Sequence, residues 1–516
     1  MNDTYSDKEL DQHVAPSDWV NPTPQSRYHL VVIGGGPAGL VAAAGAAGLG
    51  AKVALIERNR LGGDCLIHGC VPSKALLKSA RVAASVRDAK RFGVDVPDGM
   101  RVDFAAVMQR MRDLRTSLAP NDSAERFRRL GVDVFFGDGC FVGTDTIEVG
   151  GQTLRFRRAV IATGSRPTIP TICGLPESGC FTNETIFSLK ELPKQLTVLG
   201  AGPVGCELAQ AFARFGSRVT LIANSSTLLP KEDPLAANIV AAALRCDGIE
   251  VLQNARLSRA ARNGAETQLW IESNTRSPVF QTERSQDDCL KNGLENRSTD
   301  ALLVAVGRTP NVDSLNLGQA GIKFDSRDGV KVDDYFRTSN HRVFAAGDVC
   351  SKFKFTHAAD AMARIVLQNA LFPGRGKGSS LVIPRCTFTE PEIAAVGLTE
   401  VEASQRNIAV DVLIEELAHN DRAILDGETD GFAKVLLKRG TDQIIGATIV
   451  ASNAGDMLNE LTLAMTAKLG LGSLAKTIHP YPTKAEIIKR LADQFQRRRL
   501  TPTLKRWFAR WFAWTA

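Results

Sequence analysis

Two cysteines, Cys65 and Cys70, stand with four residues between them in the segment LGGDCLIHGCVPSK. The other eight of the ten cysteines are scattered singly, which is not the framework of a small disulfide scaffold. The first 27 residues are polar, acidic and Pro-containing, without the apolar stretch of a signal peptide. A reducing, cytoplasmic setting is therefore expected, and there a close cysteine pair is more often catalytic than structural. The pair leads into KALLKSARVAASV, which reads as a helix; a helix N-terminus lowers a thiol pKa and supplies thiolate at neutral pH. Five residues of ideal helix would separate the two by ~7.5 Å along the axis, beyond the ~4.4–6.8 Å that a disulfide spans between Cα atoms. Gly69 and the following Val71-Pro72 supply the irregularity that pairing would need.

Two glycine turns flank this segment. Gly34, Gly36 and Gly39 follow the apolar run YHLVVI and precede an Ala-rich stretch, so they read as strand, tight turn and helix. The first glycine permits the turn, the second lets backbone approach a pyrophosphate, and the third packs helix on strand, with the helix N-terminus facing the phosphates. Glu57 closes the next strand, where a carboxylate can bond ribose hydroxyls. The same grammar recurs at Gly200, Gly202 and Gly205, and its next strand, VTLI, ends at Ala223-Asn224 without an acid. An acid there favours NAD and repels a 2′-phosphate; its absence admits NADP. Two such units imply two nucleotides, with NADPH favoured over NADH for the second.

The elements around these turns imply an α/β chain. At roughly 150 residues per domain, 516 residues correspond to about three domains. The expected division is a disordered leader over 1–27, a first Rossmann-like domain over 28–190 completed by 309–375, and a second over 191–308. A flexible linker at 372–380 leads to an α+β domain over 382–496, and a basic aromatic tail follows over 497–516. Residues 275–300 read as a polar, irregular surface insertion.

In its motifs the chain resembles the class I pyridine nucleotide–disulfide oxidoreductases, among them glutathione reductase, dihydrolipoamide dehydrogenase and mercuric reductase. The resemblance runs from about Tyr28 to Asp493 through GGDC…GCVPSK, ATGS (162–165), GAGPVGCE (200–207), VGRTPN (306–311) and AAGDV (345–349). It implies FAD on the first unit and NAD(P)H on the second, and an obligate homodimer through the C-terminal domain. It places Gly63, Thr163, Gly164, Gly307 and Asp348 at the cofactors, with Asp348 on the ribityl chain. Cys70 becomes the thiol against the flavin and Cys65 the interchange thiol, while Lys74 and Glu207 match an ion pair beside flavin and nicotinamide. Electrons would then pass from nicotinamide through the flavin to the Cys65–Cys70 disulfide, and from the dithiol to an acceptor.

The pattern departs from the disulfide reductases at IHPYPTKAE (478–486). Glu486 holds the position of the family's acid, but Tyr481 stands where its partner histidine should be, and His479 lies two residues earlier. A phenol titrating near ~10 is a poor base at neutral pH, whereas imidazole suits the task. Mercuric reductases resemble the chain here and also lack the acid at Ala223. A thiolate site without a strong base suits a soft metal ion. That branch, however, carries a vicinal cysteine pair near its C-terminus, and here no cysteine follows Cys386; Asp64 and Ile67 also replace its usual Thr and Asn. The expected activity is an FAD-dependent NAD(P)H oxidoreductase acting on a metal ion or thiol-reactive acceptor, with no resident metal. The alternatives are a dihydrolipoamide dehydrogenase, or a membrane-associated redox adaptor for a protein partner.

The last alternative rests on the tail. Residues 487–516 carry eight Lys and Arg against the single acid Asp493, the whole of the net charge of +7. The body is close to neutral, which excludes a nucleic-acid-binding surface of ordinary kind, and no run of 18 apolar residues could span a membrane. In LTPTLKRWFARWFAWTA, Leu504, Trp507, Phe508, Trp511 and Phe512 recur at helical spacing with Lys505, Arg506 and Arg510 on the other face. Such a helix can lie in a membrane interface, so peripheral contact at the inner face of a membrane is expected beside docking on the protein body.

Overall fold

The computed structural model describes residues 3–273 and 294–515. The chain divides into two compact units, residues 1–224 with 248–381, and 225–247 with 382–516.

The first unit opens with helix α1 (Asp3–Val14), so the expected disordered leader is not found. Leu10 and Val14, four residues apart on one face, are fully buried, and Asp11 pairs with Arg60 at 2.6 Å. A polar composition concealed one apolar stripe. Strand β1 (Tyr28–Ile33), helix α2 (Pro37–Gly48) and strand β2 (Val53–Glu57) follow as the expected βαβ unit. Next come two helices, α3 (Gly63–Ile67) and α4 (Cys70–Arg87), and then α5 (Phe104–Leu118) and α6 (Ala124–Arg129). Strands β3 (Val132–Phe136), β4 (Gly139–Gly143), β5 (Thr146–Val149) and β6 (Gln152–Ile161) complete a sheet ordered β3-β2-β1-β6-β5-β4, and β18 (Val343–Ala345) pairs with β6. β1, β2, β3, β6 and β18 run parallel, and β1 is buried at five of its six residues. Such strands, covered on both faces, read as near-continuous apolar runs.

A short strand β7 (Ser165–Pro167) precedes the second parallel sheet, formed by β8 (Gln195–Leu199), β9 (Arg218–Ile222), β10 (Glu250–Leu252) and β14 (Ala301–Val304) in the order β10-β9-β8-β14. Helix α7 (Pro203–Phe215) crosses from β8 to β9. An antiparallel sheet β11 (Ala255–Asn263), β12 (Glu266–Ser273) and β13 (Leu294–Thr299) lies beside it in sequence. Residues 294–299, expected as part of an irregular insertion, thus form a regular strand paired with β12; the rest of that insertion up to residue 293 lies outside the described residues. β15 (Arg308–Pro310) pairs with β7, and a two-stranded hairpin, β16 (Phe324–Asp325) with β17 (Gly329–Val330), precedes β18. Helix α9 (Thr356–Leu371) ends the unit. The stretch after it, expected as a flexible linker, is fastened: Asn369 exchanges two hydrogen bonds with Gly376, and Asp334 accepts from Ser379 at 2.8 Å.

The second unit is a five-stranded antiparallel sheet, β19 (Pro384–Thr387), β20 (Glu392–Gly397), β21 (Val410–Glu416), β22 (Phe432–Lys438) and β23 (Ile444–Ala451), ordered β19-β20-β23-β22-β21. Helices α10 (Glu400–Gln405), α11 (Asp421–Asp426), α12 (Ala454–Thr466), α13 (Leu471–Leu474), α14 (Glu486–Arg498) and α15 (Pro502–Thr515) belong to it. So does α8 (Pro234–Cys246), far earlier in the chain. Asp233 caps α8 and is buried against the ammonium of Lys434 at 2.7 Å, and Glu232 pairs with Arg385 at 3.0 Å. Breaking a buried pair by removing one partner leaves an uncompensated charge, so these contacts hold 225–247 to this unit.

Candidate active site: a thiol pair beside two glycine turns

The cysteine pair sits on a break between helices. Cys65 lies within α3, which ends at Ile67 with His68 as its cap, and Cys70 is the first residue of α4. The second cysteine thus opens the helix, at whose N-terminus a thiolate is favoured. Gly69 makes the break: a Cβ there would stand 2.8 Å from the Asp64 carbonyl oxygen. The buried side chain of Arg115 donates to the Ile67 carbonyl at 3.2 Å, closing the end of α3.

The thiols are free, and their environments split their titrations. A hydrogen bond from Cys65 is the main stabiliser of the Cys70 thiolate. Thr356 lies 3.3 Å from Cys70 Sγ at the start of α9, and its hydroxyl and the Lys74 charge lower the Cys70 pKa further. Partial desolvation and the Asp64 carboxylate oppose them, and Cys70 settles at about 6. The Cys65 thiol is pushed far up, first by its bond to Cys70 and then by burial. Lys74 is itself paired with the buried Glu207 of α7 at 2.8 Å, so the expected ion pair forms. Thr356 was not read from the sequence; its only signal is its place at the helix start shortly after AAGDV.

The motifs of the first unit meet in one network. Arg308 donates to Ser165 Oγ at 2.7 Å and to the Ser165 carbonyl at 2.8 Å, and pairs with Asp64 at 3.3 Å. Ser165 in turn donates to Asp348 at 2.6 Å. Asn183 donates to the other Asp64 oxygen at 3.1 Å. Thr163 donates to the Asn311 carbonyl at 2.8 Å, and the Asn311 side chain returns a bond to the Thr163 carbonyl at 2.8 Å. Gly164, at φ 66°, accepts from the Asn311 N–H at 3.0 Å. The redox segment, ATGS, VGRTPN and AAGDV are thus zipped together, although up to 284 positions separate Asp64 from Asp348.

The two glycine turns are built alike. Gly34 and Gly200 have φ of 106° and 112°. A Cβ on Gly39 would meet the Gly34 carbonyl oxygen at 1.8 Å, and one on Gly205 the Gly200 oxygen at 1.9 Å. Gly36 and Gly202 cap α2 and α7 with no side-chain bond and no acid in the first turn, leaving N–H groups open to an anion. A Cβ on Gly202 would meet nothing within 4 Å. Such uncapped helix starts fit a pyrophosphate, so both turns suit dinucleotides. Glu57 lies across the first turn, accepting from Gly35 N at 2.6 Å and Asn59 N at 2.8 Å, with its pKa raised by burial. Gly63, at φ 57°, brings the redox segment onto this turn: its Cβ would stand 2.7 Å from Gly36 Cα. Gly307 is held at φ 135° just before β15. β9 ends before buried Ala223, and no acid stands there.

Residues 28–363 match the model of the pyridine nucleotide-disulphide oxidoreductases, and residues 383–492 match the dimerisation domain of the same family. The chain belongs to that family. It is an oxidoreductase of a family that depends on FAD and a pyridine nucleotide. Among its relatives, a mercuric reductase of Lysinibacillus sphaericus is 34% identical over 92% of this chain and 83% of its own length. A dihydrolipoyl dehydrogenase of Geobacillus stearothermophilus is 33% identical over 90% of this chain and 95% of its own length. Among solved structures, the HOCl-induced flavoprotein disulfide reductase RclA from Escherichia coli covers 90% of this chain and 99% of its own, with 28% identity and a TM-score of 0.76. The Cu(II) complex of RclA matches with 27% identity and a TM-score of 0.77, covering 91% of this chain and 100% of its own. The matched dimerisation domain supports a homodimer for this oxidoreductase.

In the second unit the C-terminal segment takes a definite arrangement. Tyr481 is exposed and donates its hydroxyl to Asp421 at 2.8 Å. That bond, then the carboxylate charge, raises the phenol pKa. Glu486 begins α14 and pairs with Arg490 at 3.7 Å. The His479 side chain is enclosed and pairs with Glu460 at 3.0 Å.

Proposed function

We propose that this oxidoreductase passes electrons from NADPH through the Cys65–Cys70 pair to a soft metal ion or another thiol-reactive acceptor, in the manner of a mercuric reductase. Bound FAD would supply two-electron transfer between nicotinamide and the disulfide. The Gly34–Gly39 turn would hold the flavin nucleotide, with Glu57 at its ribose and Asp348, Gly63, Thr163 and Gly164 around its chain. The Gly200–Gly205 turn and Gly307 would hold the pyridine nucleotide. Lys74, anchored by Glu207, would fix positive charge beside the thiolate. Two electrons and one proton convert the disulfide to the Cys65 thiol and the Cys70 thiolate; the pair then gives two electrons to the acceptor, releases the proton and closes again as a disulfide.

Tyr481 carries this reading. Opening an organic disulfide requires a base to take up and return a proton, and a phenol whose pKa is raised by Asp421 does neither near pH 7. A soft cation needs thiolate ligands first. NADPH is favoured by the chain's lack of an acid after β9. The mercuric reductases among the relatives and the Cu(II) complex among the structures agree with a metal acceptor.

The experiment is an anaerobic NADPH titration followed by absorbance. A long-wavelength thiolate–flavin band should appear and should vanish in Cys70→Ala. Mercuric ion should reoxidise the reduced enzyme, while lipoamide and glutathione disulfide should do so poorly. If Cys65→Ala turns over like the wild type, the thiol mechanism is wrong. One observation favours a second reading, a dihydrolipoamide dehydrogenase: His479, paired with Glu460, is an imidazole two residues from Tyr481. Brisk lipoamide turnover that disappears in His479→Gln would establish that reading instead.

A further inference from the structure

Helix α15 buries none of its residues. Trp507, Trp511, Phe512 and Trp514 are 58%, 46%, 64% and 79% exposed. Their rings lie against one another along the helix: Trp507 stacks on Trp511 at 6.0 Å between centroids, and Trp511 meets Trp514 at 5.7 Å. Thr501 starts the helix by accepting from Leu504 N at 3.3 Å, and Pro502 opens its first turn. At about 100° per residue, Leu504, Trp507, Phe508, Trp511, Phe512 and Trp514 fill an arc of about 160°. Lys505 and Arg510 border that arc on its two sides, and Arg506 points away from it. Arg497, Arg498 and Arg499 immediately precede the helix, and no acid occurs between 497 and 516.

We propose that α15 is an interfacial anchor that lays its aromatic face into the surface of an anionic lipid bilayer. Charge complementarity selects this occupant. Six cations without a counter-charge demand an anionic partner, and a second copy of the tail would set like charges together. Their placement selects a bilayer over a nucleic acid strand. Stacking bases would need cations on the ring-bearing face, whereas here the cations border the rings. Trp settles at headgroup depth, Phe and Leu enter with the apolar face, and Lys and Arg at the margins of an apolar arc extend to lipid phosphates. Among the described residues no helix is long and apolar enough to cross a membrane, so α15 lies in the plane of the interface. The redox reading is independent of this one.

The test is co-sedimentation of the full chain with phosphatidylcholine vesicles, with and without about 40% phosphatidylglycerol. Binding to the anionic vesicles should exceed binding to the neutral ones at least about tenfold, and should weaken between about 0.1 M and 0.5 M salt. Deleting 497–516, which takes no residue from the apolar core of the second unit, should abolish it. The triple variant Lys505→Gln, Arg506→Gln, Arg510→Gln should lose most of the anionic preference. Replacing Trp507, Trp511 and Trp514 by Ala should weaken binding to both vesicles. Equal sedimentation of full chain and deletion overturns the proposal. So does a tail-dependent gain in mass without lipid, which would mean that a second copy covers the face.

Discussion

At the scale of single residues, the chemistry turns on which thiol keeps its proton. The pKa of Cys70 falls from the ordinary thiol value of 9.0 to about 6, while that of Cys65 moves up. A lowered pKa means that the thiolate is present above pH 6 and lost below it. Absorbance at thiolate wavelengths in the reduced enzyme should therefore show one thiolate per pair, titrating near pH 6, and Cys70→Ser should remove it. Thr356→Val should raise that midpoint, since it deletes a hydroxyl 3.3 Å from the sulfur. An unchanged midpoint in Thr356→Val would show that the contact does not stabilise the anion. Tyr481 supplies the second prediction. If position 481 is where the family's histidine acts, Tyr481→His supplies the missing imidazole, and disulfide turnover should rise by roughly 10²-fold, the lower end of general acid–base effects. Its pH profile should gain a limb near ~6.5, the ordinary histidine value. No gain in lipoamide or glutathione disulfide turnover would mean that the base is not what this enzyme lacks.

At the scale of elements, two glycines and one asparagine hold a helix start and a sheet edge in place. Gly205 packs α7 on β8 so closely that a Cβ would lie 1.9 Å from the Gly200 oxygen. Gly205→Ala should lower NADPH-dependent reduction at least about tenfold by displacing the helix start that would face the pyrophosphate. Its FAD content should stay near the wild-type level, because the Gly34–Gly39 turn is separate. Equal loss of FAD would show that the two turns are coupled. The N-terminal arm guards the open edge of the first sheet. Asn21 accepts from Phe136 N at 2.8 Å and donates to its carbonyl at 2.9 Å, and Trp19 donates to the Val134 carbonyl at 3.1 Å. The outer side of β3 is therefore paired by side chains, which protects an edge from association. Asn21→Ala should cost about 1–3 kcal/mol, the penalty for an unsatisfied backbone group, read as a lower denaturation midpoint with faster aggregation. The parallel strands, the glycine turns and the redox segment were legible because each combines a periodicity with a special residue type. The arm was not: its polar residues hide the buried Leu10 and Val14, and Asn21 acts through an edge 115 positions away.

At the scale of the whole molecule, charge and chemistry occupy different stretches of the sequence. The second family match ends at residue 492, while 497–516 hold six cations and no acid, so removing them takes the formal net charge from +7 to +1. What sequence patterning could not reveal at this scale is where 225–247 belongs. Asp233 and Glu232 find their partners, Lys434 and Arg385, more than 150 positions later, and no local periodicity announces a long-range ion pair. The tail was legible because its pattern is local and its periodicity survives without a packing partner. Deletion of 497–516 should leave turnover with a water-soluble acceptor within about twofold of wild type, because the thiols, both glycine turns and the C-terminal core stay intact. The same deletion should move elution from a cation exchanger to much lower salt, as six fewer cations weaken adsorption to an anionic surface. Vesicles containing anionic lipid should then distinguish the two proteins: the full chain should follow the vesicles with its activity, and the deletion should remain in the supernatant with the same activity. A deletion that lost turnover in free solution would place the tail within the redox machinery rather than beside it.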